Sequence, residues 1–536
     1  MSVARRALLL AAALSCACCK GDKPAGKPST TLALRVTAAN VPVGARVLLF
    51  DAAGQPLHMG NIDLYGQRQG AAACPIAPGV VGSWDGLILG TGIADVPVGS
   101  DDCTPSPAIP FGVYKVWAWR GLEYERWEGT VDLSAGRGRV ELAIPLERAW
   151  APVGALAADL HVHARASNDS TVPNPQRVIA QVAAGIQVIA LSDHNTNGDL
   201  DADIAELGLE HVVASIASNE VTSETFHLGV YPVTVDPKAP RGGAIPEDDL
   251  RKATVEKQFE LVRALPGNPI IQVNHPRFRF TSLFDGTAWN GISWPPPFPL
   301  QFHAVEVLAG YTAFNAPGDR RLDDGVRDFY TLVDHGVLVA PLGNSDTHDL
   351  NWVLDGTTRN YVFVDDTRTT PFDEPGFIAA IRARRVVATS GPWLEVAVAD
   401  TEANLATSSA GPGQHVRATA ATAWVDISLA QARFVKVERI RITVGTPSGP
   451  SLAQQIDVPP GKRDFHWAGA INIGTADTWI GVTADGDTAL PLEQTGTYQR
   501  DKWQRAGVTP FAIASPILID ADGDGRWKRG GTDLGL

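Results

Sequence analysis

Between about residues 155 and 391, short apolar runs alternate with amphipathic stretches, and run after run closes on a histidine, an aspartate or a glutamate. AALAADLH, IQVIALSDH, HVVASIASNE, PIIQVNH, HAVEVLAG, VLVAPLGNSD and RNYVFVD have the length and apolar density of buried strands. NPQRVIAQVAAG, DLRKATVEKQFELVRAL and RLDDGVRDFYTLVDHG, which fall between several of them, space their apolar residues as amphipathic helices do. Repeated strand-and-helix units over about 240 residues predict a barrel over 151–391, with its chemistry at the C-terminal ends of the strands.

The flanks have a different rhythm. TLALRVTA, ARVLLFD, GVYKVWAWR, YERWEGTVDL and GRVELAIPL alternate with period two between Gly, Pro and Asp turns, which predicts an antiparallel β-sandwich over 31–150. PFGVYKVWAWRGLEYERWEGTVDL resembles immunoglobulin-like and carboxypeptidase-regulatory-like accessory modules. Alternating short strands return after Leu394 and predict a second sandwich over 392–536. Division into several cores suits 536 residues, because single cores stop growing near 250–300 residues. Apolar residues at 44%, with 14 Trp and 17 Phe, supply those cores and exclude a disordered chain. A net charge of −14 disfavours nucleic-acid binding, which depends on Lys and Arg replacing condensed counterions.

Residues 1–19 place Arg5 and Arg6 before a short apolar run ending in small residues and cysteine, the layout of a signal peptide. The run is too short to span a bilayer as a helix. Ala-Leu-Ser-Cys resembles a bacterial lipobox, which implies an exported lipoprotein at the cell envelope, attached to the membrane by acyl chains on Cys16 or Cys18. Residues 20–30 (KGDKPAGKPST) suit a solvated tether. Cys74 and Cys103 are expected to pair, since an exported compartment is oxidising.

Nine of the 12 histidines fall between 151 and 391. His161 and His163, two apart in extended backbone, point to one side, and Asp346 and His348 repeat that spacing. Asp193-His194 closes another strand, Glu220 a third with His227 seven residues on, and Asn274-His275-Pro276 a fourth. An isolated histidine is usually a satisfied structural residue, and His211, His303 and His335 are read that way. The same ligand types at one strand end after another point instead to metal.

DLHVHARASNDS, LSDHNT, NEVTSETFH, NHPR and LGNSDTH resemble, in order, the motifs of the PHP (polymerase and histidinol phosphatase) metallohydrolases, and within them the carbaryl-hydrolase branch. The resemblance implies a multidomain α/β chain: a central distorted (β/α)7 TIM-like barrel flanked by the two sandwiches, holding two or three divalent ions (Zn, Mn or Fe). It implies His161, His163, Glu220 and Asp346 around one ion, Glu220 shared with a second held by His227 and His275, and Asp169, His194 and His348 around a third. Asp169 stands where some relatives carry histidine. Asp193 is either a proton acceptor or a group orienting His194.

The implied activity is hydrolysis of an ester-type bond, phosphoester or carboxylic or carbamate ester, in a small molecule, with a metal-bridging hydroxide as nucleophile. Arg277 is either an anion clamp or a surface salt bridge, and Asn344 a hydrogen-bond donor to substrate. The aromatic, Pro-rich stretch 278–300 suggests an apolar pocket wall. The competing reading is a catalytically retired barrel serving as an extracytoplasmic binding or scaffold module. Asp520, Asp522 and Asp524, with Gly525 at the sixth position, have EF-hand spacing, but Gly531 occupies the place of the bidentate glutamate. That loop reads either as a weak calcium site or as a solvated acidic turn.

Overall fold

The computed structural model describes residues 30–57, 59, 79–83, 86–99, 109–251, 253–278, 281–287, 289, 301–310, 321–351, 353–495 and 507–536. Cys16, Cys18, Cys74, Cys103, residues 20–29 of the expected tether and most of 278–300 lie outside the described residues, and Thr30, placed in that tether, begins a strand.

The N-terminal region is two facing sheets. One joins Val41–Pro42, Thr30–Ala38 and Ile93–Val98, with Gly138–Leu146 on the other side of Thr30–Ala38; the second runs Val80–Ser83, Gly86–Leu89, Ala45–Phe50, Val113–Trp119, Trp127–Asp132. Alternation decides which side chains enter the core. In Ile93–Val98 every second residue is buried, and Ala94, Val96 and Val98 join Leu32, Val47, Val116 and Ile144 between the sheets. It does not decide direction: Thr30–Ala38 and Gly138–Leu146 pair in parallel, where alternation had suggested an antiparallel sandwich throughout.

Residues 151–391 do not form the expected (β/α)7 barrel. Over the chain as a whole strand outweighs helix, 42% against 16%, and among the described residues no sheet closes on itself. Ala214–Ala217, Val188–Leu191, Ala155–Val162, Arg359–Phe363 and Val386–Thr389 form half of a ten-stranded sheet, while Asn219–Thr222, His227–Tyr231, Ile270–Val273, Ala304–Ala309 and Ala340–Asn344 form a separate five-stranded one. Each sheet contains a parallel triplet: 155–162 with 188–191 and 214–217, and 270–273 with 304–309 and 340–344. Within residues 151–391 the remaining strand pairings are antiparallel, including the hairpin 219–231 and the pairing of 155–158 with 360–363. A continuous apolar run records burial on both faces, which parallel and antiparallel strands share, so the runs could not distinguish a closed barrel from two open sheets.

The two sheets meet at isolated parallel bridges, Val162 with Thr347 and His194 with Glu220. Both seams carry ligand-type residues. The larger sheet also continues past residue 391: Val387–Thr389 pair with Ala512–Ala514, and Thr478–Asp485, Arg439–Thr446 and Gly449–Asp457 follow in turn. One apolar core therefore holds Phe259, Val305 and Phe329 together with Val425, Ile442 and Ile513. Trp479 stacks on Tyr330 across the same boundary at 5.0 Å between ring centroids.

Removing residues 392–536 strips a central strand of its neighbour and opens that core. A chain ending at 391 is expected to lose its cooperative thermal transition in circular dichroism; a truncated chain melting as sharply as the full one, at the same temperature, would show that the shared sheet is not needed.

Candidate metal centre

The strand Ala155–Val162 is buried along its whole length and delivers His161 to the seam, with His163 one step beyond its end. Asp346 N–H donates to the His161 carbonyl at 2.9 Å and His163 N–H to the Thr347 carbonyl at 3.0 Å, so backbone bonds hold the His161/His163 and Asp346/His348 pairs side by side. Asp346 (φ 52°) and His275 (φ 27°) adopt left-handed backbone, which few non-glycine residues do, Asp and His more readily than most, and which clusters at functional sites. The His275 N–H is anchored on Glu306 Oε2 at 2.6 Å.

At the centre is Glu220, fully buried. Its Oε1 lies 3.0 Å from His161 Nε2, 3.1 Å from His227 Nδ1 and 3.3 Å from His275 Nε2; its Oε2 lies 2.7 Å from His194 Nδ1 and 3.6 Å from His163 Nε2. Asn274 Nδ2 donates to Oε1 at 2.8 Å as well. A carboxylate has about four lone-pair sites, so six converging nitrogens cannot all be satisfied by protons. His163 Nε2 and Glu220 Oε2 indeed make no hydrogen bond, although both are buried. Buried polar atoms left in that state are costly unless a cation lies among them.

The nine ligand-type residues named from the sequence all come together, in overlapping groups whose ligand atoms lie within 4.8 Å of one another: His163/Asp169/His194/His348, His161/Glu220/His275, His161/His163/Asp346 and His194/Glu220/His227. These clusters could hold metal ions. The grouping differs from the implied one in placing His163 also with Asp169, His275 with His161, and His194 also with Glu220 and His227. Asp169 accepts from both His194 Nε2 and His348 Nε2 at 3.2 Å.

Electrostatics follow from this crowding. Burial alone would raise Glu220, but His227, His161 and His194 hold it well below the usual carboxylate range. Asp346 is likewise held low by His161 and His163 against its burial. Burial, reinforced by neighbouring His348, pushes His163 down to about 3, so its imidazole is neutral at neutral pH and has a lone pair to donate. His194 goes the other way: burial disfavours its cation, yet Glu220 and Asp169 outweigh it and raise it to about 10.

The three residues given other roles are placed differently. Asp193 is buried, its Oδ1 accepts from Ala164 N–H at 2.7 Å, and burial raises it; it braces the turn after His163. Arg277 is engaged by Asp328 (2.6 Å) and Asp285 (2.8 Å), the ion-pair alternative. Asn344 is fully buried, donating to Glu306 and accepting from Leu160 N–H and Asn360 Nδ2, so its side chain is tied into the interior behind His161. In the C-terminal loop, Asp520 accepts from Gly523 and Gly525 N–H while Asp524 pairs with Lys528. The acidic group there that could hold an ion is Asp477/Asp520/Asp522; Asp524, included by spacing, is not part of it, and Asp477, 43 residues before Asp520, is.

Sequence reasoning passed over Glu306. It sits mid-strand in AVEVLA, a lone acid in an apolar run, and that oddity was the available signal. Its Oε1 meets His161 Nδ1 at 2.8 Å and accepts from Gln272 and Asn344, orienting the ring so that Nε2 faces Glu220. Ser167 Oγ does the same for His163 Nδ1 at 2.8 Å. Comparison with family models, with curated proteins and with solved structures finds no match to this chain.

Glu306→Ala is expected to lower unfolding stability by about 2–4 kcal/mol, since it leaves several buried donors unpaired, and to weaken metal binding about 10- to 100-fold. Urea unfolding and a metal titration check both; wild-type values in each would remove Glu306 from the site.

Proposed function

We propose that this chain is a metal-dependent hydrolase of ester-type bonds, acting at the cluster centred on Glu220. The observation that carries the reading is Glu220 itself: one buried carboxylate facing five imidazoles, with Asp346 and Asp169 closing the set on either side. Carboxylate and imidazole are the donor set of Zn, Mn or Fe(II) centres. His161, His163, Glu220 and Asp346 would hold one ion, Glu220 with His227 and His275 a second, and Asp169, His194 and His348 a third. Divalent ions in such a site make water a usable nucleophile near neutral pH and polarise a carbonyl or phosphoryl oxygen.

The chain's own residues do the positioning. Glu306 and Ser167 fix the ring orientations of His161 and His163, and Asp193 holds the turn between His163 and Asp169. The side chains of Asp169, His194 and His348 are 35%, 14% and 16% exposed, whereas those of His161, His163 and Glu220 are 0% exposed, so a substrate reaches the cluster from the Asp169 side. Phe278, whose ring centroid is 5.6 Å from that of His275, gives the rim an apolar element. The five strand-end motifs that resemble PHP metallohydrolases support the same chemistry. Attachment at the cell envelope by a lipidated Cys16 or Cys18 is the cellular setting proposed with it.

Purified protein loaded with zinc or manganese is expected to hydrolyse at least one of p-nitrophenyl phosphate, acetate or carbamate, and to stop when a chelator removes the metal. Glu220→Gln should cut bound metal and turnover together, turnover by more than about 100-fold. Asp193→Asn should lower turnover by roughly 10- to 100-fold with at least two ions retained, the range for outer partners of metal ligands. Equal metal loss in the two variants would make Asp193 a ligand, and unchanged hydrolysis in both would place the reaction elsewhere.

A further inference from the structure

Three charged side chains lie buried behind the cluster. Arg177, on the helix Asn174–Ala183, is 0% exposed; it donates from Nε to the His163 carbonyl at 2.9 Å and from Nη1 to the Asp349 carbonyl at 3.2 Å and to Asp355 Oδ1 at 2.6 Å. The other oxygen of Asp355, Oδ2, accepts from Arg46 Nη2 at 3.2 Å, and Arg46 Nη1 donates to the Leu350 carbonyl at 3.3 Å. Arg46 belongs to the N-terminal strand Ala45–Phe50 and is 5% exposed. A planar guanidinium fixes the spacing of the groups it binds more tightly than an ammonium does. Arg177 therefore sets the distance between the segment ending in His163 and the segment that follows His348, and Arg46 holds the carboxylate that holds Arg177.

The apolar contacts run the same way. Ile179 and Ala183 of the Arg177 helix share a small core with Val81 and Ile88 of the N-terminal sheets and with Leu350. Burying two guanidiniums on one carboxylate is a poor way to add stability, because desolvation offsets much of the attraction, and hydrophobic replacements often do as well. Its recurrence at the back of two ligand-bearing segments suits a positional use better.

Resting on the metal reading of the cluster, we propose that Arg46 is a positioning residue for the metal centre, acting through Asp355 and Arg177, and that the N-terminal sheets are part of the working site although they carry none of its ligands. Arg46→Gln removes the charge and the fork, and Arg46→Lys keeps the charge alone. Leu49→Ala opens the N-terminal core from the same strand without touching Asp355, and so serves as the control for general loosening.

The test is zinc binding by the full-length protein, titrated against a competing chelator, with the melting temperature of each variant recorded. Arg46→Gln is expected to weaken zinc binding by about 10- to 100-fold, as loss of outer partners of metal ligands does, with Arg46→Lys between it and wild type. Leu49→Ala should melt lower yet bind zinc as wild type does. Should Arg46→Gln not fold, Arg46→Lys decides alone: weakened zinc binding supports the proposal and wild-type binding overturns it. Wild-type affinity in a folded Arg46→Gln, or an equal loss in Leu49→Ala, overturns it too. A wild-type protein that binds no zinc would instead remove the metal reading itself.

Discussion

Glu220 is the constraint on which the rest of the central region depends. It is held ionised, away from solvent, within 2.7–3.6 Å of five imidazole nitrogens drawn from both sheets and from the loops at their seams. Like groups crowded this closely in a low-dielectric interior repel, and their polar atoms lose hydration without gaining proton partners. The surrounding structure holds them against that cost. Backbone bonds pin Asp346 to His161 and His275 to Glu306, in left-handed conformations that would otherwise relax. Ring orientations are set from behind by Glu306 and Ser167. A cation among the ligands would give the unpaired carboxylate and imidazole lone pairs a partner and make the arrangement a coordination shell.

The architecture explains how so many donors converge. Two open sheets meet at their ends, and the seams fall at Val162–Thr347 and His194–Glu220. Side chains leaving several strand ends then face one volume, which no single strand could supply with ligands from so many directions. Neither sheet is an isolated unit: one extends into the C-terminal strands through Val387–Thr389, and the other is covered by a core that includes Val425 and Ile513. From the opposite side, the N-terminal strand Ala45–Phe50 reaches the Arg177–Asp355 pair. The segment after His348 is thus gripped by Arg46 and Arg177, and Leu354 N–H bonds to the Thr495 carbonyl of the C-terminal region. All three regions of the chain meet there.

Much of the site was legible in the sequence because ligand chemistry is written in residue type and spacing. His161 and His163, or Asp346 and His348, two apart at a strand end, could be placed on one side without knowing the fold, and all nine named residues do converge. Strand direction was not legible: IQVIAL and PIIQV are buried on both faces in parallel and antiparallel company alike, so the rhythm of runs suggested a closed barrel where there are two open sheets. Roles requiring a partner distant in sequence were also hidden. Arg277 finds Asp328, Asn344 finds Glu306, and Asp477 joins Asp520, contacts that local spacing does not encode. Arg46 read as one polar position in an alternating strand, and its meeting with Asp355, 309 residues away, exists only in the folded chain.

The central proposal is that Glu220 would be shared between metal ions held by the cluster, and anomalous diffraction from crystals of zinc-loaded protein tests it most directly. The account predicts at least two anomalous peaks, one on each side of the Glu220 carboxylate, each about 2.0–2.2 Å from imidazole nitrogens or carboxylate oxygens of the named residues. Zinc-loaded crystals with no peak in reach of Glu220, or with a peak only beside Asp477, Asp520 and Asp522, would contradict it.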